Sequence, residues 1–106
     1  MARTIIIRGV ARRDIRESFE WLDVNVSADF ALDWAAGLHA RIGSLVDQAE
    51  IWPEADESEL FSFKLQMMLH RRGRRVHRIL FEIQGDTVIV HRVRSASQNS
   101  LTSDDF

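Results

Sequence analysis

The chain has 106 residues, 45% hydrophobic and 28% charged, with a formal net charge of −2 and no cysteine. It is long enough for one domain with one core, its apolar content excludes wholesale disorder, and the missing cysteines exclude disulfides, thiolate catalysis and thiolate metal sites, which suits a reducing cytosol. No run approaches the ~18 apolar residues of a membrane span and the N-terminus lacks a signal-peptide apolar region, so a cytoplasmic protein with no membrane partner is expected.

Residues 3–9, RTIIIRG, set three isoleucines before a glycine and predict a β-strand buried on both faces. From about Ala11 the spacing turns helical: Ile15, Phe19 and Leu22 recur at i, i+4 and i+7, so an amphipathic helix should run to about Asp23. Trp21 falls off that line and is expected to be partly exposed, at a partner or dimer surface. Ser27 before Ala28-Asp29 is an N-cap with an acid in the first turn. A second helix then carries Phe30, Trp34, Leu38, Ile42, Leu45 and Ala49 on one face and should continue to Trp52, where Pro53 ends it. Gly37 and Gly43 each cost that helix about 1 kcal/mol relative to alanine, so close packing is expected to compensate. The short turn between the helices makes them an antiparallel hairpin.

Residues 47–60, DQAEIWPEADESEL, hold six acids and no base. The following 61–94 reverses that sign, with Lys64, Arg71, Arg72, Arg74, Arg75, Arg78, Arg92 and Arg94 against only Glu82 and Asp86. Here Phe61, Phe63, Leu65, Met67 and Leu69 alternate with more polar neighbours, the period-2 pattern of a strand with one buried face. An HRRGRR turn follows with Gly73 available for positive φ, then a strand from Val76 to Gln84, a Gly85-Asp86 hairpin turn and a last strand from Thr87 to Arg94. The order β-α-α-β-β-β predicts an α+β domain over residues 1–94, a helical hairpin packed on a mainly antiparallel four-stranded sheet. Residues 95–106, SASQNSLTSDDF, read as a polar, mobile C-terminal tail.

The charge segregation fits two surfaces. One is a one-sided positive face for an anionic partner; the other is a solvated hairpin whose arginines pair with the acidic loop.

The Ile-rich first strand, the ARRDIRESFEW helix with its Asp-Ile pair, the long second helix closing on Trp52-Pro53 and the VHRILFEIQGDTVIVHRVR block together resemble the RelE/ParE superfamily of type II toxin–antitoxin toxins, the plasmid stabilisation proteins. The resemblance covers about residues 3–98 and rests on the succession of these pieces. It implies a toxin that inhibits growth and is neutralised by a cognate antitoxin, an extended, partly disordered partner that folds on binding, in a heterotetramer or higher assembly. RelE-like members cleave mRNA in the ribosome; ParE-like members inhibit DNA gyrase and have no catalytic centre of their own. This sequence has no tyrosine, so the C-terminal tyrosine of several RelE-like nucleases has no counterpart, and Ser95 stands where ParE-like relatives commonly have histidine. Those departures, with the lack of basic residues in Ala96-Ser97-Gln98, count against ribosome-dependent cleavage, and the ParE-like branch is the reading taken. A ribosome-dependent, metal-independent endoribonuclease is the alternative, and a degenerate, non-toxic member that binds antitoxin or nucleic acid is a third reading.

For a nuclease, the strand arginine of the family falls on Arg78, which would stabilise the phosphate, with Lys64 its neighbour on the outward sheet face. The other reading of Arg78 is an ion pair with Glu82 or with an acid of the 54–59 loop. His77 and His91, on adjacent strands, could pair across the hairpin as proton carriers, or could be structural. Arg71, Arg72, Arg74, Arg75, Arg92 and Arg94 are the candidate partner- or phosphate-binding residues. His39 and His70 lack ligand spacing, so neither a metal nor another cofactor is expected. Phe61, Phe63 and Phe81 read as core.

Overall fold

The computed structural model describes residues 2–98 and 101–106. Four strands form one sheet: β1 (Thr4–Ile7), β2 (Gln66–Arg72), β3 (Arg75–Gln84) and β4 (Thr87–Ser95), in the order β1-β4-β3-β2. β1 lies parallel to β4 and the other two pairings are antiparallel. Helices α1 (Gly9–Asn25) and α2 (Ala28–Gly43) cover one face, so the expected helical hairpin on a mainly antiparallel sheet is the architecture found. Among the described residues no helix is long and apolar enough to cross a membrane.

Local chemistry accounts for most of the boundaries. Ser27 is extended and its hydroxyl accepts from the Phe30 amide at 3.0 Å, capping α2. Gly73 and Gly85 each open a two-residue hairpin turn at φ of 58° and 60°, a backbone region that side chains with a Cβ rarely occupy. The core on the helical side is built from Trp34, Leu38, Phe81, Val88, Val90 and Val93, with Ile15 and Phe19 packed against it. Burial of these groups supplies the main driving force for folding.

Four expectations need correction. β1 is an edge strand, and Ile6 is 49% exposed instead of buried on both faces. α2 stops at Gly43; a short α3 (Leu45–Gln48) and a 3-10 turn at Ala49–Ile51 carry the chain on towards Pro53, because Ser44 closes the helix with its amide bonded to the Ala40 and Arg41 carbonyls. β2 begins at Gln66, not Phe61. Residues before it are held by the acidic loop: Ser58 Oγ accepts from the Leu65 amide at 2.9 Å, and the Leu65 carbonyl accepts from Ala55 at 2.8 Å. Finally, residues 101–106 do not behave as a free polar tail. Leu101 is buried with Ala55, Leu65 and Leu80, Phe106 packs edge-on to Phe61, and Thr102 and Asp105 close a capping box. Together with the 53–65 loop they cover the sheet face opposite the helices.

Close packing does explain one helical glycine. A Cβ at Gly37 would lie 2.8 Å from Cε1 of His70, a buried ring whose Nε2 is 3.2 Å from the Trp34 carbonyl. Nothing lies within 4 Å of the equivalent point at Gly43, which simply ends the helix. Gly37→Ala is therefore expected to destabilise the protein by about 1–3 kcal/mol despite alanine's better helix propensity. A urea melt checks it, and a neutral or stabilising result would mean that the His70 ring is free to move.

Candidate functional site

The sheet brings the sequence-flagged residues to three separate places. On the face away from the helices, Arg78 forms a two-pronged ion pair with Glu57, at 3.0 and 2.7 Å, and Glu57 also accepts from the Leu101 amide at 3.3 Å. Of the two readings of Arg78, the pair with an acid of the 54–59 loop is the one formed. Hydrogen bonding from Arg78, first, holds the Glu57 carboxyl below its ordinary range. Lys64 is not its neighbour. Leu69 lies opposite Arg78 in the ladder, whereas Lys64 precedes β2, exposed, in a shallow recess with Glu50, Gln66 and Ile83.

His91 lies on this same covered face, stacked on Phe63 with ring centroids 5.5 Å apart. Arg8 Nη1 is 3.0 Å from its Nδ1, and Glu82 Oε1 is 2.8 Å from its Nε2. A guanidinium can only donate, so Nδ1 accepts and Nε2 carries the proton to Glu82. His77 faces the helices instead, where the Trp34 indole donates to its Nδ1 at 3.2 Å. The expected His77–His91 pair across the hairpin therefore does not form: Ser95 is the register partner of His77. Burial, followed by the positive fields of His70 and Arg75, pushes the His77 pKa down to about 4. It is a neutral ring at working pH.

The arginines divide in the same way. Arg92 is buried against Asp14 of α1, with Nε and Nη2 at 2.7 and 2.9 Å from its two oxygens, and Nη1 donates to the Asp105 carbonyl. Asp14 further accepts from the Val93 amide at 3.0 Å. Arg72 pairs with Asp33 on α2, and Arg94 donates to Gln98. Arg71, Arg74 and Arg75, at the β2–β3 turn, have no carboxylate partner among the described residues.

That turn leans over the helices, with Gly73 approaching the Phe30 ring. Between the turn, α1 and the end of β4 lies a groove of about 470 Å³ lined by Trp21, Leu22, Arg74, Arg75, His77 and Val93, with Asp14, Glu17 and serines at its rim. Trp21 is 50% exposed, as its place off the helical line predicted, and the Arg75 guanidinium sits over its ring at 4.7 Å. Val24, Val26 and Leu32 extend exposed apolar surface along the helical hairpin. Sequence reasoning placed a partner of Arg78 in the 54–59 loop without singling out Glu57, and it missed Asp14 and Arg8 as partners, although the ARRD and RTIIIRG segments carry them in plain view.

No family model matches this sequence, and no curated protein matches it. Among solved structures the chain is similar to one from the chromosomal ParDE TA (toxin–antitoxin) system of P. aeruginosa, with a TM-score of 0.69 and 12% identity over 89% of this chain and 96% of that one. At that identity the likeness establishes a shared fold. The α+β fold is thus that of a ParDE chain across nearly its whole length.

Proposed function

We propose that this chain is the toxin of a type II toxin–antitoxin system, of the ParE-like kind, which inhibits growth by binding a target such as DNA gyrase and is neutralised by a cognate antitoxin. The observation that carries the reading is the state of the would-be catalytic face. Arg78 is neutralised by Glu57 and lies beneath residues 53–65 and 101–106, Lys64 is elsewhere, His77 is a neutral acceptor on the opposite side, and the sequence has no tyrosine. Acid–base cleavage of RNA needs a proton donor and acceptor within reach of one phosphate, and no such pair is assembled among these residues. The ParDE-like fold supports the toxin reading and an antitoxin partner. Exposed Trp21, Val24, Val26 and Leu32 supply apolar surface of the kind an amphipathic antitoxin segment would cover.

Induced alone in a bacterial host, the chain is expected to arrest growth with a DNA-damage response, and co-expression of the antitoxin to relieve it. Arrest of translation with intact DNA, accompanied by mRNA cuts at the ribosomal A site, would transfer the assignment to the nuclease branch. Harmless expression without a partner in several hosts would leave only the non-toxic binding role.

A further inference from the structure

The groove beside Trp21 has features that growth inhibition through a protein target does not use. Its floor holds His77, only 5% exposed. Because the Trp34 indole N–H can only donate, it fixes His77 Nδ1 as acceptor and leaves the ring proton on the other nitrogen. That second nitrogen has no hydrogen-bond partner among the described residues, while the ring lines the groove. That nitrogen is not among the buried orphan groups of the described residues, so it opens into the groove, where a ligand acceptor can reach it.

Around it the polar atoms are unbalanced. Arg74 and Arg75 reach the groove from the β2–β3 turn without a carboxylate partner among the described residues. Asp14, which also lines the groove, already accepts three hydrogen bonds, two from Arg92 and one from the Val93 amide. Glu17 stands on the exposed rim, 4.0 Å from Arg13. Donors therefore exceed free acceptors, which selects an anionic, acceptor-rich ligand. One wall is flat and aromatic: Trp21 presents a ring face now occupied only by the Arg75 guanidinium. A volume of about 470 Å³ falls within the usual range for small-molecule sites.

The geometry points to a binding site for a nucleobase with an adjacent phosphate, the base stacked on Trp21 and the phosphate held by Arg74 and Arg75, with the His77 N–H donating from the floor. The site lies on the helical side of the sheet, opposite the face that carries Arg78, and does not depend on the toxin reading. The ligand chemistry is shared by a free nucleoside monophosphate and by the 5′-phosphorylated end of a single strand, where aromatic stacking and arginine contacts act without sequence preference.

The test is a titration of the full chain followed by ¹H–¹⁵N spectra, with adenosine 5′-monophosphate and a 5′-phosphorylated single-stranded hexanucleotide as probes and adenosine and inorganic phosphate as halves. Saturable shifts of the Trp21 indole and Arg75 side-chain resonances are expected, with both halves binding far more weakly than the whole. Trp21→Ala and Arg75→Ala should each weaken binding about tenfold, whereas Arg12→Ala, on the exposed N-terminal part of α1, should not. Equal affinity for both probes assigns the site to a free nucleotide, and binding of the hexanucleotide alone assigns it to a strand end. If neither probe binds saturably, the site is overturned. Binding that the Trp21 and Arg75 variants retain, or that inorganic phosphate reproduces by itself, overturns it too.

Discussion

Replacing Asp14 by alanine is expected to lower the unfolding free energy by about 3–5 kcal/mol, a large part of the 5–15 kcal/mol typical of a domain. Asp14 is a buried carboxylate that accepts two bonds from Arg92 and one from the Val93 amide. Its removal leaves the Arg92 guanidinium inside the protein with one carbonyl, that of Asp105, as its remaining acceptor. The same cluster ties α1 to β4 and to the C-terminal segment, so the variant should also loosen residues 101–106. Replacing both partners with apolar residues, as in Asp14→Leu with Arg92→Met, should recover most of the loss, because no unpaired charge remains. Chemical denaturation of the two singles and the double checks this. A loss under 1 kcal/mol for Asp14→Ala would mean that the pair is solvated.

Glu57→Gln should be the second large loss, about 3 kcal/mol, with an acid-dependence that distinguishes it from a packing defect. Glu57 carries the two-pronged bond to Arg78 and the Leu101 amide, and its folded-state pKa lies below the ordinary value of 4.5. A depressed carboxylate contributes stability that is fully present above the unfolded pKa and is lost as pH falls through the folded one. His77 acts in the same direction at higher pH. Its folded pKa of about 4 lies below the usual 6.5, so the unfolded chain takes up a proton that the folded chain refuses, and stability falls between those two values as the medium is acidified. Melting temperatures of the wild type should therefore decline from pH 6.5 downward and more steeply below 4.5, and Glu57→Gln should show a shallower second decline, the part that remains coming from Glu50 and Asp105, whose carboxyls are also held low. An unchanged acid profile in that variant would mean that Arg78 is not its partner in solution. Arg78→Ala carries a comparable cost, so any loss of toxicity in that variant has to be read beside its melting curve.

Much of the fold is legible in the sequence because the signals are local. The period of Ile15, Phe19 and Leu22, the Ser27 cap and the glycines at 73 and 85 act through neighbours a few residues away, and each lies in an element of the expected type. Trp21 was legible for the same reason, since a residue off the apolar line of a helix has to face outward. Where the local pattern misled, a distant group prevailed. Phe61 to Leu65 alternate like a strand, yet Ser58 and Ala55 take their backbone bonds and Phe61 stacks on Phe63 over the far face of the sheet.

The stretch 61–94 read as an open basic sheet because composition counts charges without pairing them. Which arginines stay free is decided by carboxylates far away in the chain, Asp14 for Arg92 and Glu57 for Arg78, and no periodicity encodes those meetings. The same holds for Leu101 and Phe106, two apolar residues in a polar tail that acquire meaning only once Leu80 and Phe61 are beneath them. The sequence by itself determined the α+β order, the turns and the sign of the charge. Tertiary structure alone decided that the Arg78 face is closed and that the free arginines stand beside Trp21, because desolvation makes a buried charge find a partner while an exposed one at a turn needs none.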